Sequence, residues 1–208
     1  MHEIFFQNII KMFVAIDPIT LIPIFASFST KIPTKEIVTL GIKIFLISIF
    51  LLIFFAVFGS NFLKLIGISI ISFQIAGGIF LFVIAFEMLF EARSKRKEKL
   101  ISKKIDNDYL TSFAIFPISI PLIVGPSAIT VSILISETFE INFFNIYTKI
   151  LPLVIVMIFT VFIFITSKFT FNFLGKSVTI VLQKIFGIVL GALAIEFILD
   201  GFSLVKVY

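Results

Sequence analysis

The stretch Asp17-Pro18-Ile19-Thr20-Leu21-Ile22-Pro23-Ile24-Phe25 interrupts the first long apolar run of the chain with one acidic residue and two prolines. Proline lacks a backbone N–H and kinks or breaks a helix. In the hydrocarbon core of a membrane, such a break survives only where protein or a water-filled cavity satisfies the freed backbone groups. A second stretch half a chain later, Pro117-Ile118-Ser119-Ile120-Pro121-Leu122-Ile123-Val124-Gly125-Pro126-Ser127, repeats the pattern. Two matching breaks indicate the binding site of a transporter that is built from two repeats.

The composition predicts an all-α, multi-pass membrane protein. Of 208 residues, 60% are hydrophobic and only 14% are charged, with a mean hydropathy of +1.21. Soluble domains carry about 25% charged residues. The chain has no cysteine and its single histidine is His2, so we expect no disulfide, metal site or cofactor. It also lacks the H-E-x-x-H, G-x-S-x-G and Walker motifs, and we therefore expect no enzyme.

Six apolar segments are long enough to cross a bilayer, which takes about 20 residues each. Short polar or glycine-containing turns separate them, including Gly59-Ser60-Asn61 with Lys64 after the second segment. The first and fourth segments contain the proline breaks. The predicted spans cover residues 4–28, 38–58, 68–90, 110–135, 146–165 and 178–199.

The basic residues predict the orientation of these spans. Cytoplasmic loops carry an excess of Lys and Arg, so the side with more of them is expected to be cytoplasmic, with both termini on the other side of the cell (inner) membrane. The net charge of +5 is explained by this asymmetry, and we expect no nucleic-acid partner. Four basic residues fall on the external side, Lys11, Lys64, Lys149 and Lys206, against thirteen on the cytoplasmic side: Lys31, Lys35, Lys43, Arg93, Lys95, Arg96, Lys97, Lys99, Lys103, Lys104, Lys168, Lys176 and Lys184.

A second internal match divides the chain into two halves. The pattern Q-x3-G-x6-A-x-E occurs in the third span and again in the sixth, where it starts at Gln74 and Gln183 respectively. Each half holds three spans, an odd number, so the halves must have opposite orientations in the membrane. The predicted fold is therefore two inverted three-helix repeats, residues 1–90 and 110–208, joined by a basic cytoplasmic loop over 91–109.

These motifs together resemble the MarC family of integral membrane proteins, and the resemblance covers essentially the whole chain. It implies six helices and a likeness to lysine-exporter-type transporters, which export small solutes; the family name implies antibiotic resistance. Two departures are Thr20-Leu21, where the family usually has Gly-Asn, and the acid at Glu196. The matching motifs are Asp17-Pro18-x4-Pro23-Ile24-Phe25, Gly77-Gly78, Ala85-x-Glu87-Met88-Leu89-Phe90, Ile120-Pro121-Leu122-x-x-Gly125-Pro126 and Leu199-Asp200-Gly201.

The two breaks supply the candidate substrate- or ion-binding residues. Asp before Pro is a preferred start of a helix, so Asp17 is either a cap or a proton or cation site, and the two roles are compatible. A half-helix after Pro18, and a counterpart after Pro121 or Gly125-Pro126, would present positive N-termini that suit an anionic group. The hydroxyls of Thr20, Ser119 and Ser127 either bind the solute or form hydrogen bonds with the freed backbone carbonyls. The candidate residues are Asp17, Pro18, Thr20, Pro23, Ser119, Pro121, Gly125, Pro126 and Ser127.

Glu87 and Glu196 are predicted near opposite membrane faces, as gates or as interfacial residues. The leading hypothesis is a secondary transporter, specifically an exporter, of a small polar solute. The alternative is a non-transporting scaffold or assembly partner whose breaks only shape the bundle. The expected partners are the lipid bilayer and a small solute, and an oligomer is compatible with the sequence.

Overall fold

A computed structural model describes residues 2–29, 33–90, 114–136 and 140–205. The predicted basic loop over 91–109 lies outside these ranges, as do residues 30–32 and 137–139. Every regular element in the described ranges is helical. The chain is therefore an all-α protein in these parts, as its composition predicts.

The first predicted span consists of two helices, α1 (His2–Ile16) and α2 (Pro18–Ser29), which meet at an angle of 40°. Asp17 separates them in a left-handed backbone conformation with φ of 57°. A regular α-helix cannot pass through that conformation, and the proline that follows favours the first position of a new helix. The break therefore lies where the sequence predicts it.

The second and third spans are the uninterrupted helices α3 (Thr34–Leu65) and α4 (Ile70–Leu89). The prediction that Gly59-Ser60-Asn61 and Lys64 form a turn is wrong, because all four residues lie inside α3. Gly59 is needed here for packing: a methyl group at this position would lie 2.5 Å from Cγ1 of Ile133.

The fourth predicted span is not a continuous helix. Its first part, Ala114–Ile123, has wide π-type turns with non-helical backbone at Phe116 and Ile120, and the Ile120–Pro121 peptide is cis. A short helix, α5 (Pro126–Ile135), follows. The break predicted in this segment is present, and it occupies about half of the segment's length.

The last described part is a helical hairpin. A short helix, α6 (Phe143–Asn145), and a wide turn, Ile146–Ile150, lead into α7 (Leu151–Val205). Gly175 divides α7 into two arms, 151–174 and 176–205, because its φ of 70° reverses the chain. The ring of Phe13 contacts Phe159 of one arm and Phe186 of the other, so the arms lie side by side.

Four helical stretches in the described ranges are long and apolar enough to cross a membrane, and the bent α1–α2 pair adds a fifth. The segment 114–136 does not meet this test as a single helix. Large apolar side chains are exposed along the outer faces, including Phe50, Phe54 and Phe58 of α3. Such surface suits lipid contact, and the protein is an integral membrane protein with several apolar helices.

Among the described elements, the most extensive helix contact joins α4 to α7, and the glycine contacts place it on the second arm. The contact is reciprocal at two glycines. A methyl group on Gly78 would lie 2.8 Å from the carbonyl oxygen of Ala194, and one on Gly187 would lie 3.3 Å from that of Ala85. Gly78 and Gly187 are equivalent in the repeated sequence pattern, and so are Ala85 and Ala194. The small side chains let the two backbones approach closely, as is usual between membrane helices.

Candidate functional site

The start of α2 is built around Asp17. Its side chain is buried, and Oδ1 accepts a hydrogen bond from the backbone N–H of Thr20 at 3.3 Å. Its own N–H donates to the carbonyl of Phe13 at 2.9 Å and closes α1. Asp17 thus ends one helix with its backbone and caps the next with its carboxylate, which satisfies a donor that has no partner within the helix.

The start of α5 has no side-chain cap. Gly125 stands at the capping position with extended backbone, and Pro126 occupies the first helical turn. A methyl group on Gly125 would lie 2.8 Å from the carbonyl oxygen of Pro121, so glycine is the residue that fits. The carbonyl of Ser119 accepts from the N–H of Val124 at 2.8 Å, which folds the irregular segment back against the start of α5.

One hydrogen bond joins the two breaks. The hydroxyl of Ser127 in α5 donates to the carbonyl of Ala15, near the end of α1, at 2.7 Å. Farther along, the hydroxyl of Ser132 approaches the sulfur of Met12 at 4.0 Å. The residue numbers rise on one helix as they fall on the other, so α1 and α5 are antiparallel. Because α2 continues the course of α1 with a bend, α2 and α5 run away from each other from starts at about the same level.

This level is close to the middle of the α1–α2 pair. The helices α1 and α2 have 15 and 12 residues, which correspond to about 22 Å and 18 Å at 1.5 Å per residue. If the pair spans a hydrocarbon core about 30 Å thick, the break between arms of similar length falls near the centre of that core. Both α2 and α5 therefore direct positive N-termini towards the interior, where a partial charge is poorly screened.

Two of the predicted hydroxyls are buried and have no hydrogen-bond partner among the described residues. They are Oγ1 of Thr20, in the first turn of α2, and Oγ of Ser119. Both residues are about 1% exposed or less. An unbonded hydroxyl in an apolar interior costs about 1–3 kcal/mol, so these two groups suit a ligand or water that forms hydrogen bonds.

The predicted prolines occupy different places around the two breaks. Pro23 lies within α2 and is half-buried, whereas Pro126 is exposed. Pro18 and Pro126 start the two half-helices, so Pro126 is the counterpart of Pro18. Of the two places that the sequence left open for the second half-helix, Gly125-Pro126 is the one observed.

The predicted gate residues lie on α4 and on the second arm of α7. Glu87 is in the last turn of α4, beside Met88, whose carbonyl accepts from Nε2 of Gln183 at 3.2 Å. Glu196 is exposed on the second arm of α7. In the described ranges, no three His, Cys, Asp or Glu side chains are grouped so that they could hold a metal ion.

Two buried polar contacts that were not predicted attach α1 and α2 to the hairpin. Nδ2 of Asn8 donates to the carbonyl of Thr148, in the wide turn Ile146–Ile150, at 2.8 Å. The hydroxyls of Ser29 and Ser167 lie 2.7 Å apart. Asn8 was recognisable in the sequence as an amide within an apolar run; Ser29 was not, because it adjoins a polar turn.

Comparison with known proteins identifies relatives along nearly the whole chain. Residues 2–205 match the family described as "MarC family integral membrane protein". A UPF0056 membrane protein of Buchnera aphidicola subsp. Baizongia pistaciae is 32% identical over 205 residues, which cover 96% of this chain and 92% of the relative. Two such proteins of Methanocaldococcus jannaschii are 38% identical over 135 residues (64% of this chain, 59% of the relative) and 28% identical over 193 residues (92% of each). These names mention no enzyme activity. No solved structure matches the chain.

Proposed function

The chain belongs to the MarC family of integral membrane proteins, and from this premise we propose that it is a secondary transporter that exports a small polar solute through a site at the two half-helix starts. The observation that carries the proposal is the pair α2 and α5, which start at a common level and run in opposite directions. Broken helices with inward-facing N-termini are typical of substrate sites in transporters.

The proposal includes an architecture of two inverted repeats with six spans. The reciprocal contacts of Gly78 with Ala194 and of Gly187 with Ala85 support it, because a two-fold axis exchanges the members of each pair. Since α4 and the second arm of α7 are antiparallel, such an axis is perpendicular to both helices and lies in the membrane plane. In this architecture the segment 114–136 is the fourth span, and it is broken like the first.

The orientation in the cell (inner) membrane is also part of the proposal. We place the basic residues of 91–109 in the cytoplasm and both termini outside it, because basic loops are retained on the cytoplasmic side. Reporter fusions after Lys104 and after Tyr208 test this placement. An enzymatic reporter that is active only in the cytoplasm should be active after Lys104 and inactive after Tyr208; the reverse result would contradict the orientation.

Asp17 is the residue that we assign to energy coupling. It is the buried acidic side chain at the central break, and an ionisable group within a membrane segment is costly and therefore marks a candidate functional site. A proton that binds to the carboxylate and leaves it again would change the charge of the site during each cycle. Glu87 and Glu196, on opposite sides of the centre of the α4–α7 contact, are assigned as gates within the same proposal.

Because the chain has no native cysteine, single introduced cysteines can test whether the site is reached from both sides of the membrane. Thr20→Cys and Ser119→Cys each introduce one thiol at the site, and Ser132→Cys is the control, because Ser132 is equally buried but bonds the carbonyl of Ala128 at 2.8 Å. A membrane-impermeant thiol reagent is applied to right-side-out and to inside-out vesicles, and labelling is measured by mass spectrometry.

A transporter that alternates its access should be labelled from both sides in the Thr20→Cys or the Ser119→Cys variant, and the control should not be labelled from either. A scaffold that does not transport should resist the reagent from both sides in all three variants, and this outcome would refute the proposal. Metabolite profiling of cells with and without the protein then identifies the solute, which should accumulate inside cells that lack it.

A further inference from the structure

We propose that Ser48 of α3 is a third polar contact of the central site, and that the site recognises a small solute through several hydrogen bonds to hydroxyl groups. The inference rests on the proposed function in one respect, namely that the site binds a solute. It adds a residue from a helix that carries none of the predicted candidates, and it defines the chemistry of the solute.

The hydroxyl of Ser48 is buried and has no hydrogen-bond partner among the described residues. Serine and threonine within a helix commonly donate to the carbonyl four residues earlier. Ser29, Ser132 and Thr160 do so at 2.8–2.9 Å. Ser48 shares the helical setting and the burial of these residues but lacks the bond. It is also the one polar residue between Lys43 and Gly59.

Ser48 lies close to the level of the two half-helix starts. Gly41, near the start of α3, packs on Ile165, two residues from the Ser167 that meets Ser29 at the end of α2. The helix α3 therefore starts at the α2 end of the bundle and runs antiparallel to the α1–α2 pair, parallel to α5. Gly59 of α3 packs against Ile133 of α5. Pro126 is seven residues before Ile133, which is about 10 Å, and the same distance along α3 leads from Gly59 to Leu52. Ser48 is one turn farther from Gly59 than Leu52 is. It therefore lies about 6 Å from the level of the start of α5, on the side away from Ile133.

Thr20 and Ser119 lie on the same side of the half-helix starts as Ser48 does. Thr20 is one turn into α2, beyond the junction that the Ser127–Ala15 bond ties to the start of α5. Ser119 precedes Gly125, and its carbonyl is bonded to Val124. The helix α3 also packs directly on the Ala114–Ile123 segment. The three buried hydroxyls therefore lie at about one level of the bundle, within about one helical turn.

The shared chemistry of these groups defines the solute class. Each hydroxyl can donate one hydrogen bond and accept others, and a buried polar group is stable only when such bonds are formed. A small solute with at least three donor or acceptor groups satisfies all three side chains. An apolar or drug-like amphiphile leaves them unbonded and is therefore a poor substrate.

The first experiment compares stability. Ser48→Ala removes a hydroxyl that has no partner in the described protein, so its melting temperature in detergent should equal or exceed that of the wild type. The matched control, Ser132→Ala, removes a formed hydrogen bond and should melt about 2–4 °C lower. If Ser48→Ala melts lower by as much as the control, Ser48 has a structural bond and the inference is overturned.

The second experiment tests proximity without any knowledge of the solute. Cd²⁺ binds thiolates, so the triple variant Thr20→Cys, Ser48→Cys, Ser119→Cys should gain several degrees in melting temperature on addition of Cd²⁺, and a chelator should reverse the gain. The control replaces the Ser48 change with Ser132→Cys and keeps the other two cysteines. An equal gain in both variants, or none in either, would refute the assignment of Ser48.

The two proposals can fail separately. Labelling of the Thr20→Cys and Ser119→Cys variants from both sides, without a specific Cd²⁺ effect, leaves the transport proposal intact and removes Ser48 from the site. If the triple variant does not fold, the pairs Thr20→Cys with Ser48→Cys and Ser48→Cys with Ser119→Cys give the same comparison, each against its Ser132→Cys counterpart.

Discussion

Substitutions at Asp17 should separate its three roles, which are the left-handed backbone, the cap and the charge. Asn caps helices as well as Asp does and tolerates the left-handed region, so Asp17→Asn should have wild-type stability. Gly also tolerates a φ of 57° but has no capping side chain; because Gly is itself an acceptable cap residue, we expect Asp17→Gly to lose about 0.5–1 kcal/mol.

Asp17→Ala should be the least stable of the series. It loses the bond from Oδ1 to the N–H of Thr20, which costs about 1 kcal/mol, and it places a Cβ in the left-handed region, which costs about 1–2 kcal/mol. The sum of about 2–3 kcal/mol corresponds to a melting temperature lower by about 4–12 °C for a chain of this size. Far-UV circular dichroism in detergent measures this transition, and it needs no tryptophan, which the chain lacks.

The order Asn, Gly, Ala is the critical result. If Asp17→Ala is as stable as Asp17→Asn, the cap and the backbone conformation do not together contribute the expected stability of about 2–3 kcal/mol. Solute export separates the remaining role: Asp17→Asn with normal protein levels and no export identifies the charge as functional. Export that survives in Asp17→Asn limits the residue to capping, and it directs attention to the helix N-termini after Pro18 and Pro126.

Three further predictions concern packing around the site. Ser127→Ala removes the bond to Ala15 and should lower stability by about 1 kcal/mol, measured by the same melting curves; an unchanged melting temperature would contradict a link between the breaks. Gly78→Ala should destabilise by about 1–3 kcal/mol because its methyl group would meet a backbone oxygen at 2.8 Å, whereas the control Gly191→Ala, whose nearest neighbour is at 3.7 Å, should be tolerated. Asn8→Ala leaves a buried carbonyl of the wide turn unbonded and should cost about 1–3 kcal/mol; faster proteolysis after residue 140 checks it, and wild-type resistance would refute it.

The broken helices were predictable because their causes are local. Asp17-Pro18 and Gly125-Pro126 each place a proline, which has no N–H to give, after a residue that can end a helix or cap the next one. The membrane class followed from composition in the same way. Neither conclusion required knowledge of which helices are neighbours.

Helix boundaries that depend on neighbours were predicted less well. Gly59-Ser60-Asn61 has the composition of a turn, yet α3 passes through it, because Ile133 of a distant helix fills the space that Gly59 leaves. The sequence left open whether the second half-helix starts after Pro121 or at Gly125-Pro126. In the structure, Pro126 has that position, since Pro121 belongs to the irregular segment before α5.

The sequence by itself determined that the chain is an apolar, all-helical membrane protein with two breaks, because proline chemistry and hydrophobic run length act within a single segment. Only the tertiary structure decided how the breaks meet. The Ser127–Ala15 bond joins residues that are 112 positions apart, and α3 packs on the Ala114–Ile123 segment, which follows it in the chain only after α4. Contacts of this kind depend on the relative placement of whole helices, and no local pattern of residues encodes that placement.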